Sequence, residues 1–517
     1  MRAARDRILL SFSGFELSPA DAEALARRAA GITLYRHLNV RSAAQIRALT
    51  DTLQAAAARL GLSPLIIAAD HETGQLHGLG EDATPFAGAM ALGATGDELL
   101  ARRVGRAIGT EMRAMGVNLA YSPVCDLATN PRNPVVGIRS YGDDPVAVAP
   151  LVAATVRGLQ SAGVAATAKH FPGHGDPTGD SHHGVPVIER TADELRAREL
   201  VPFQAAIGAG ARLAMAGHLA VPALTGRRDL PATLAPEILR TLLRGDLGFG
   251  GLTVSDALDM GGIAGDDNDV DVAATLAAGT DLLLCGPDPS AQARVEAGLA
   301  AAMADGRIDR RDAEAAMARL TDLRNWLAPF DQPSIDVVGD ADHRRLADEL
   351  ARRSITLIRD RDGLIPLARD FGRVLVLEPR PRDLTPADTT STLRPGGLAA
   401  AVQETQPQAE SRVVESAIPA EEITALRERA KAADLVILGT VDALGEPSVA
   451  ELARALVATG TPVIAVALRA PWDADAYPEV GTVLATYGIQ SSSLAALAAA
   501  LWGDAPITGQ LPVALSG

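Results

Sequence analysis

Short apolar runs alternate with longer stretches of helical periodicity from residue 7 to about residue 285. The runs are Arg7–Phe12, Gly31–Arg36, Pro64–Asp70, Val117–Asp126, Gly163–His170, Arg212–His218, Leu252–Asp256 and Thr280–Cys285. Small and branched apolar residues in such runs suit strands covered on both faces. The stretches between them carry helix-start signals. Ser18 precedes Pro19 as an N-cap before a first-turn proline, and Ser42–Gln45 and Thr191–Glu194 read as capping boxes. Eight strand–helix units in a stretch of this length predict a (β/α)8 TIM-type barrel, with a doubly wound open sheet as the alternative.

Beyond the barrel, residues 300–326 read as helical, and Leu327-Ala-Pro-Phe-Asp-Gln-Pro-Ser334 breaks the pattern. A second α/β pattern opens with a helix at Ala341–Arg353 and continues with candidate strands at Val374–Leu377, Asp434–Leu438, Pro462–Leu468 and Thr482–Tyr487. The expected fold class is therefore α/β: a barrel over residues 1–330, a linker over 331–345 and an αβα sandwich over 346–517. Neither a dinucleotide fingerprint nor a P-loop accompanies these strands, so nucleotide binding has no support. The default role expected for the second domain is structural, burying one side of the barrel.

Composition narrows the partners. With 48 Lys and Arg against 64 Asp and Glu, the net charge is −16, and no basic stripe offers a phosphate-binding surface. Nucleic acid is excluded on that ground. No apolar run reaches the length of a membrane span, and the run at Ile8–Phe12 is short for a signal peptide. Cys125 and Cys285 lie outside any paired spacing and read as reduced, buried thiols. The expectation is a soluble, cytoplasmic protein. Its oligomeric state is left open.

The catalytic groups of a barrel sit at the C-terminal strand ends. Those ends carry Asp70, Asp126, Lys169 with His170, His218 and Asp256. The fifth run ends in Lys169-His-Phe-Pro-Gly-His-Gly-Asp176, followed by Asp180-Ser-His-His183, a loop crowded with titratable groups. Asp256 at a strand end could attack an electrophilic carbon, or simply cap the next helix. Asp180 and His182, two apart on an extended loop, could share a hydrogen bond. That bond would fix the imidazole tautomer and raise its pKa, making the other ring nitrogen a proton donor near neutrality. A metal reading draws on His170, His174, His182, His183, Asp176 and Asp180. Pro172-Gly173 spoils the only helical His spacing, so no metal is expected.

The stretch Lys169–Asp176 with Asp180-Ser-His182 resembles the signature of bacterial β-N-acetylglucosaminidases in glycoside hydrolase family 3. Asn133-Pro-Val-Val-Gly-Ile-Arg139, Pro231-Ala-Thr-Leu234, Leu247–Ala257, Ser354-Ile-Thr-Leu-Ile358 and Ala485-Thr-Tyr-Gly488 extend the resemblance over nearly the whole chain. It implies Asp256 as catalytic nucleophile, His182 as acid/base and Asp180 as its orienting partner. It also implies Asp70, Arg139, Lys169 and His170 as binders of a terminal N-acetylglucosamine, with no cofactor or metal. The implied activity is retaining, exo-acting hydrolysis of small carbohydrates, such as peptidoglycan fragments or chitooligosaccharides. Alternatives are a phosphorylase or β-glucosidase of the same family, a metal-dependent barrel hydrolase, or a carbohydrate-binding protein with a dead site. One departure stands out: the segment reads Asp70-His-Glu-Thr-Gly-Gln-Leu-His-Gly78, which puts Gly78 where the resemblance expects a sugar-binding arginine. His71 or His77 is the expected substitute.

Overall fold

The computed structural model describes residues 5–177, 184–260, 271–369 and 371–516. Each of the eight predicted runs contributes a strand: β1 Ile8–Leu10, β2 Gly31–Leu34, β3 Ile66–Ala69, β4 Leu119–Ala120, β5 Ala165–Phe171, β6 Leu213–Ala216, β7 Leu252–Ser255 and β8 Leu283–Leu284. They pair in parallel in the order β7-β6-β5-β4-β3-β2-β1-β8. A bridge between Val254 and Leu282 and the bond from Ser255 N–H to the Leu282 carbonyl close the ring.

The two-residue alternation of a strand explains how the barrel packs. Ile66 and Ala68 of β3 point inward, where they meet Leu9, Leu119, Tyr121, Ala165, Leu213, Met215, Leu252 and Val254. Ile67 and Ala69 point outward, into the cluster shared with the surrounding helices. The helical stretch after the barrel is two helices, Pro289–Ala304 and Arg310–Leu327, separated where Gly306 takes a left-handed conformation. Leu320, Leu323 and Leu327 of the second helix recur at helical spacing and join the inner barrel cluster, closing the end opposite the strand C-termini.

The second domain is a six-stranded sheet of β9 Thr356–Asp360, β10 Val374–Pro379, β11 Glu410–Val414, β12 Leu435–Thr440, β13 Val463–Ala467 and β14 Thr482–Ala485. Its order is β11-β10-β12-β13-β14-β9, parallel except for the antiparallel edge pair β14–β9. Alternate strand residues feed two cores. Val376, Ile437 and Val466 pack under Leu398, Leu494 and Leu497 on one face, while Leu377, Leu438 and Ala465 pack under Leu426 and Leu452 on the other. This is an αβα sandwich.

The helix Ala341–Ser354 starts within the stretch read as linker. Leu346, Ala347 and Leu350 on it join the barrel's outer cluster, and Ala351 joins the sandwich core. His343 and Glu111 tie it to the barrel across 2.8 Å. Among the described residues, no helix is long and apolar enough to cross a membrane.

Candidate active site

The C-terminal ends of the barrel strands surround a cavity of about 620 Å³, lined by Asp70, Arg139, Lys169, His170 and Asp256 among others. Five of the seven site residues expected from the sequence are thus brought together. The other two, Asp180 and His182, lie outside the described residues, as does His183.

Strand β5 delivers the first pair. Its register with β6 shifts between Ala168 and Phe171, a bulge that lets the consecutive residues Lys169 and His170 both reach the cavity. Lys169 is almost fully buried, and its Nζ lies 2.6 Å from Asp70 Oδ1 and 2.5 Å from Glu72 Oε1. Arg139, presented by a short turn at Gly137–Arg139, donates from Nε (2.7 Å) and Nη2 (2.9 Å) to the same Glu72 in bidentate fashion. Burial pushes the Glu72 carboxyl up, but Arg139 and Lys169 outweigh it and hold the group far below the ordinary carboxylate range. Burial likewise pulls Lys169 down, while Asp70 and Glu72 more than offset it, so the ammonium is retained. Two cations and two carboxylates therefore form a charge-balanced floor.

Beneath His170 lies Asp126, fully buried. Its Oδ2 is 2.7 Å from His170 Nδ1, and its Oδ1 accepts from the backbone N–H groups of His170 (3.1 Å) and His174 (2.7 Å). Burial raises the Asp126 carboxyl, yet His170, His174 and these bonds keep it below its ordinary value. An ionised Asp126 makes Nδ1 the protonated ring nitrogen of His170. Asn133 holds the neighbouring loop, with Nδ2 donating to the carbonyls of His174 and Pro177.

Across the cavity, Asp256 follows β7. Its Oδ1 accepts from the Ala257 N–H at 2.8 Å. Burial works against ionisation, but the fields of His170 and His218, the Ala257 N–H and Lys169 prevail, and the carboxyl sits below its ordinary value. His218 is anchored between Thr233 Oγ1 and the Ala257 carbonyl and so braces the turn carrying Asp256. The arrangement offers an ionised carboxylate facing a set of fixed donors and acceptors across the cavity. Such a site can bind a polyhydroxylated ligand and present a carboxylate to a carbon of it that bears a leaving group.

Three expectations are corrected. A Cβ at Gly78 would overlap the Asp70 carbonyl oxygen, so this position accepts no side chain without displacing the segment that carries Asp70. Gly78 is thus a close-approach glycine rather than a vacated arginine. Buried His71 packs against half-buried His77, with ring centroids 4.8 Å apart, burial pushes both pKa values down, and His71 is not among the residues lining the cavity, nor is His77. The second domain is also more than a buttress: Asp383, Thr385–Thr389, Ser391 and Thr392 reach from beyond β10 to form a wall of the cavity. Asp176 of the metal reading pairs with Arg190 at 2.6 Å, and no group of three or more potential ligands occurs among the described residues.

Comparison with known proteins places this geometry. The model of the glycosyl hydrolase family 3 N-terminal domain matches residues 11–323. The β-N-acetylglucosaminidase/β-glucosidase of Cellulomonas fimi is 32% identical over 92% of this chain and 87% of its own length. The β-hexosaminidase A of Pseudoalteromonas piscicida is 36% identical over 70% of this chain, and the match spans 64% of that relative's length. Among solved structures, a family 3 β-N-acetylglucosaminidase from Paenibacillus sp. str. FPU-7 superposes with a TM-score of 0.93 at 33% identity, covering 99% of this chain and 98% of that one.

Proposed function

The chain belongs to glycosyl hydrolase family 3, and from that membership we propose that it is a retaining exo-β-N-acetylglucosaminidase acting through a covalent glycosyl–Asp256 intermediate. The observation that carries the proposal is the pairing of an ionised Asp256 with the Asp70, Lys169, Arg139 and His170 group across one cavity. In this reading, Asp70 and Lys169 grip hydroxyls of the terminal sugar, Arg139 fixes the floor through Glu72, and His170 is set in one tautomer by Asp126. Binding energy from these fixed groups positions the anomeric carbon against Asp256. His182, oriented by Asp180, gives its proton to the leaving oxygen and then takes one from water, as retention requires of the acid/base residue.

The proposed substrates are terminal β-linked N-acetylglucosamine residues of peptidoglycan fragments or chitooligosaccharides. The names of the similar proteins, which include both N-acetylglucosaminidase and glucosidase, support testing both sugars. Asp256→Asn is expected to abolish hydrolysis of a nitrophenyl β-N-acetylglucosaminide while leaving the melting temperature unchanged, because an amide cannot serve as nucleophile. The wild type should release the β-anomer first, observed by NMR. Wild-type-like rates from the variant would remove Asp256 from the mechanism, and an α-anomeric first product would rule out retention.

A further inference from the structure

The wall that the second domain contributes is a strap, residues 383–392, tied down on its barrel side. The N–H and hydroxyl of Thr389 both donate to the Gln75 carbonyl, at 2.8 and 2.9 Å, and the His77 N–H donates to Thr389 Oγ1 at 3.0 Å. Gln75 Nε2 donates to the Ala387 carbonyl at 3.3 Å. Asp388 organises the strap internally by accepting from the N–H groups of Leu384 and Thr390, and Arg469 bridges Asp388 (2.7 Å) and Gln75 Oε1 (2.5 Å). Segment 75–77 leads directly to Gly78, which lies against Asp70, so the strap stands on the Asp70 side of the cavity.

Nearly every polar side chain on the strap is committed to holding it in shape. Asp383 accepts from the N–H and hydroxyl of Ser391, Thr392 donates to the Thr389 carbonyl, and Asp388 and Thr389 are engaged as above. Thr385 differs. It lines the cavity and is only 8% exposed, yet its Oγ1 has no hydrogen-bond partner among the described residues. A buried hydroxyl without a partner costs the protein its desolvation, and a ligand that supplies the partner recovers that cost on binding.

Resting on the glycosidase reading, we propose that Thr385 is a substrate-binding residue that hydrogen-bonds a hydroxyl of the terminal sugar, so that the second domain reads the sugar that the barrel cleaves. The strap's attachment beside Asp70 puts this contact on the side of the cavity where Asp70 and Lys169 grip the terminal sugar in that reading.

The test uses the full chain, with Thr385→Val and Thr385→Ser. Binding of free N-acetylglucosamine is measured by calorimetry, with KM for the nitrophenyl glycoside and the melting temperature alongside. Thr385→Val should weaken free-sugar binding and raise KM by about three- to tenfold, the usual worth of one neutral hydrogen bond. It should not lower the melting temperature, since no group among the described residues loses a partner. Thr385→Ser should restore affinity. Unchanged sugar binding in Thr385→Val, equal impairment of the two variants, or a drop in melting temperature accompanying the loss would each overturn the proposal. A wild type that binds the sugar but turns nothing over would fail the glycosidase reading alone, because the calorimetric comparison does not depend on turnover.

Discussion

Glu72 accepts from Arg139 and from Lys169 at the floor of the cavity, and all three side chains are almost wholly buried. A buried pair survives because each charge compensates the other, and removing one partner leaves an uncompensated ion, at a cost of about 3–5 kcal/mol. Glu72→Gln should therefore destabilise the protein by that order, read from denaturant unfolding. The pH dependence follows from the direction of its shift. The folded carboxyl lies well below its ordinary value of 4.5, so its stabilisation is fully present above about pH 4.5 and declines as the pH falls. Wild-type stability should fall on the acid side, and the Gln variant should show a shallower decline. Asp70, Lys169, His170 and Asp256 were legible in the sequence because each stands at a strand end, where barrel chemistry is sought. The roles of Glu72 and Asp126 were not. Glu72 meets Arg139 across 67 residues and Asp126 meets His170 across 44, so no local spacing announces either contact.

Elements whose cause is local are legible in the sequence. Thr191 and Glu194 form both halves of the expected capping box, and Ser18 and Ser42 accept from the N–H groups of Asp21 and Gln45, although Gln45 Oε1 accepts from the Arg41 N–H and leaves the second expected box half-formed. Strands β9 and β11 lie outside the candidate strands that the sequence predicts. Both are edge strands, β9 half-buried over most of its length and β11 largely exposed, so neither shows the long apolar run that marks a central strand. The inner strand β12 ends at Thr440, beside the loop and short helix that bring in Asp473. The buried Asp473 carboxyl accepts from the Ala443 N–H and contacts Thr440 Oγ1, with Tyr477, Asp442 and Arg469 nearby, and burial pushes it up to about 7. The folded protein thus holds a proton that an unfolded aspartate releases near 3.8. This contribution to stability declines as the pH rises from about 4 to 7 and is level above that. Asp473→Asn can keep both hydrogen bonds without the ionisation. It should melt above the wild type at pH 8 and lose that advantage at pH 4, as calorimetry at the two pH values would record.

At the scale of the whole molecule, the two-domain plan followed from the change of pattern near residue 330, whereas the second domain's share in the cavity did not. The strap carries no motif of its own and acquires meaning only where it meets the barrel. Its attachments join residues far apart in the chain: Gln75 with Thr389 at a separation of 314 and Gln75 with Arg469 at 394. Contacts of such range are expected to form after local helices and each sheet have assembled, with docking of the two folded units a separate step of about milliseconds to minutes. The cavity is accordingly among the last features to take shape. On dilution from denaturant, far-UV ellipticity should recover first, and hydrolysis of the nitrophenyl glycoside should return in a later, slower phase. Simultaneous recovery would mean that the wall is in place before the domains have docked. A chain arrested between the two phases would hold a finished barrel and a finished sandwich and still lack a complete place for its sugar.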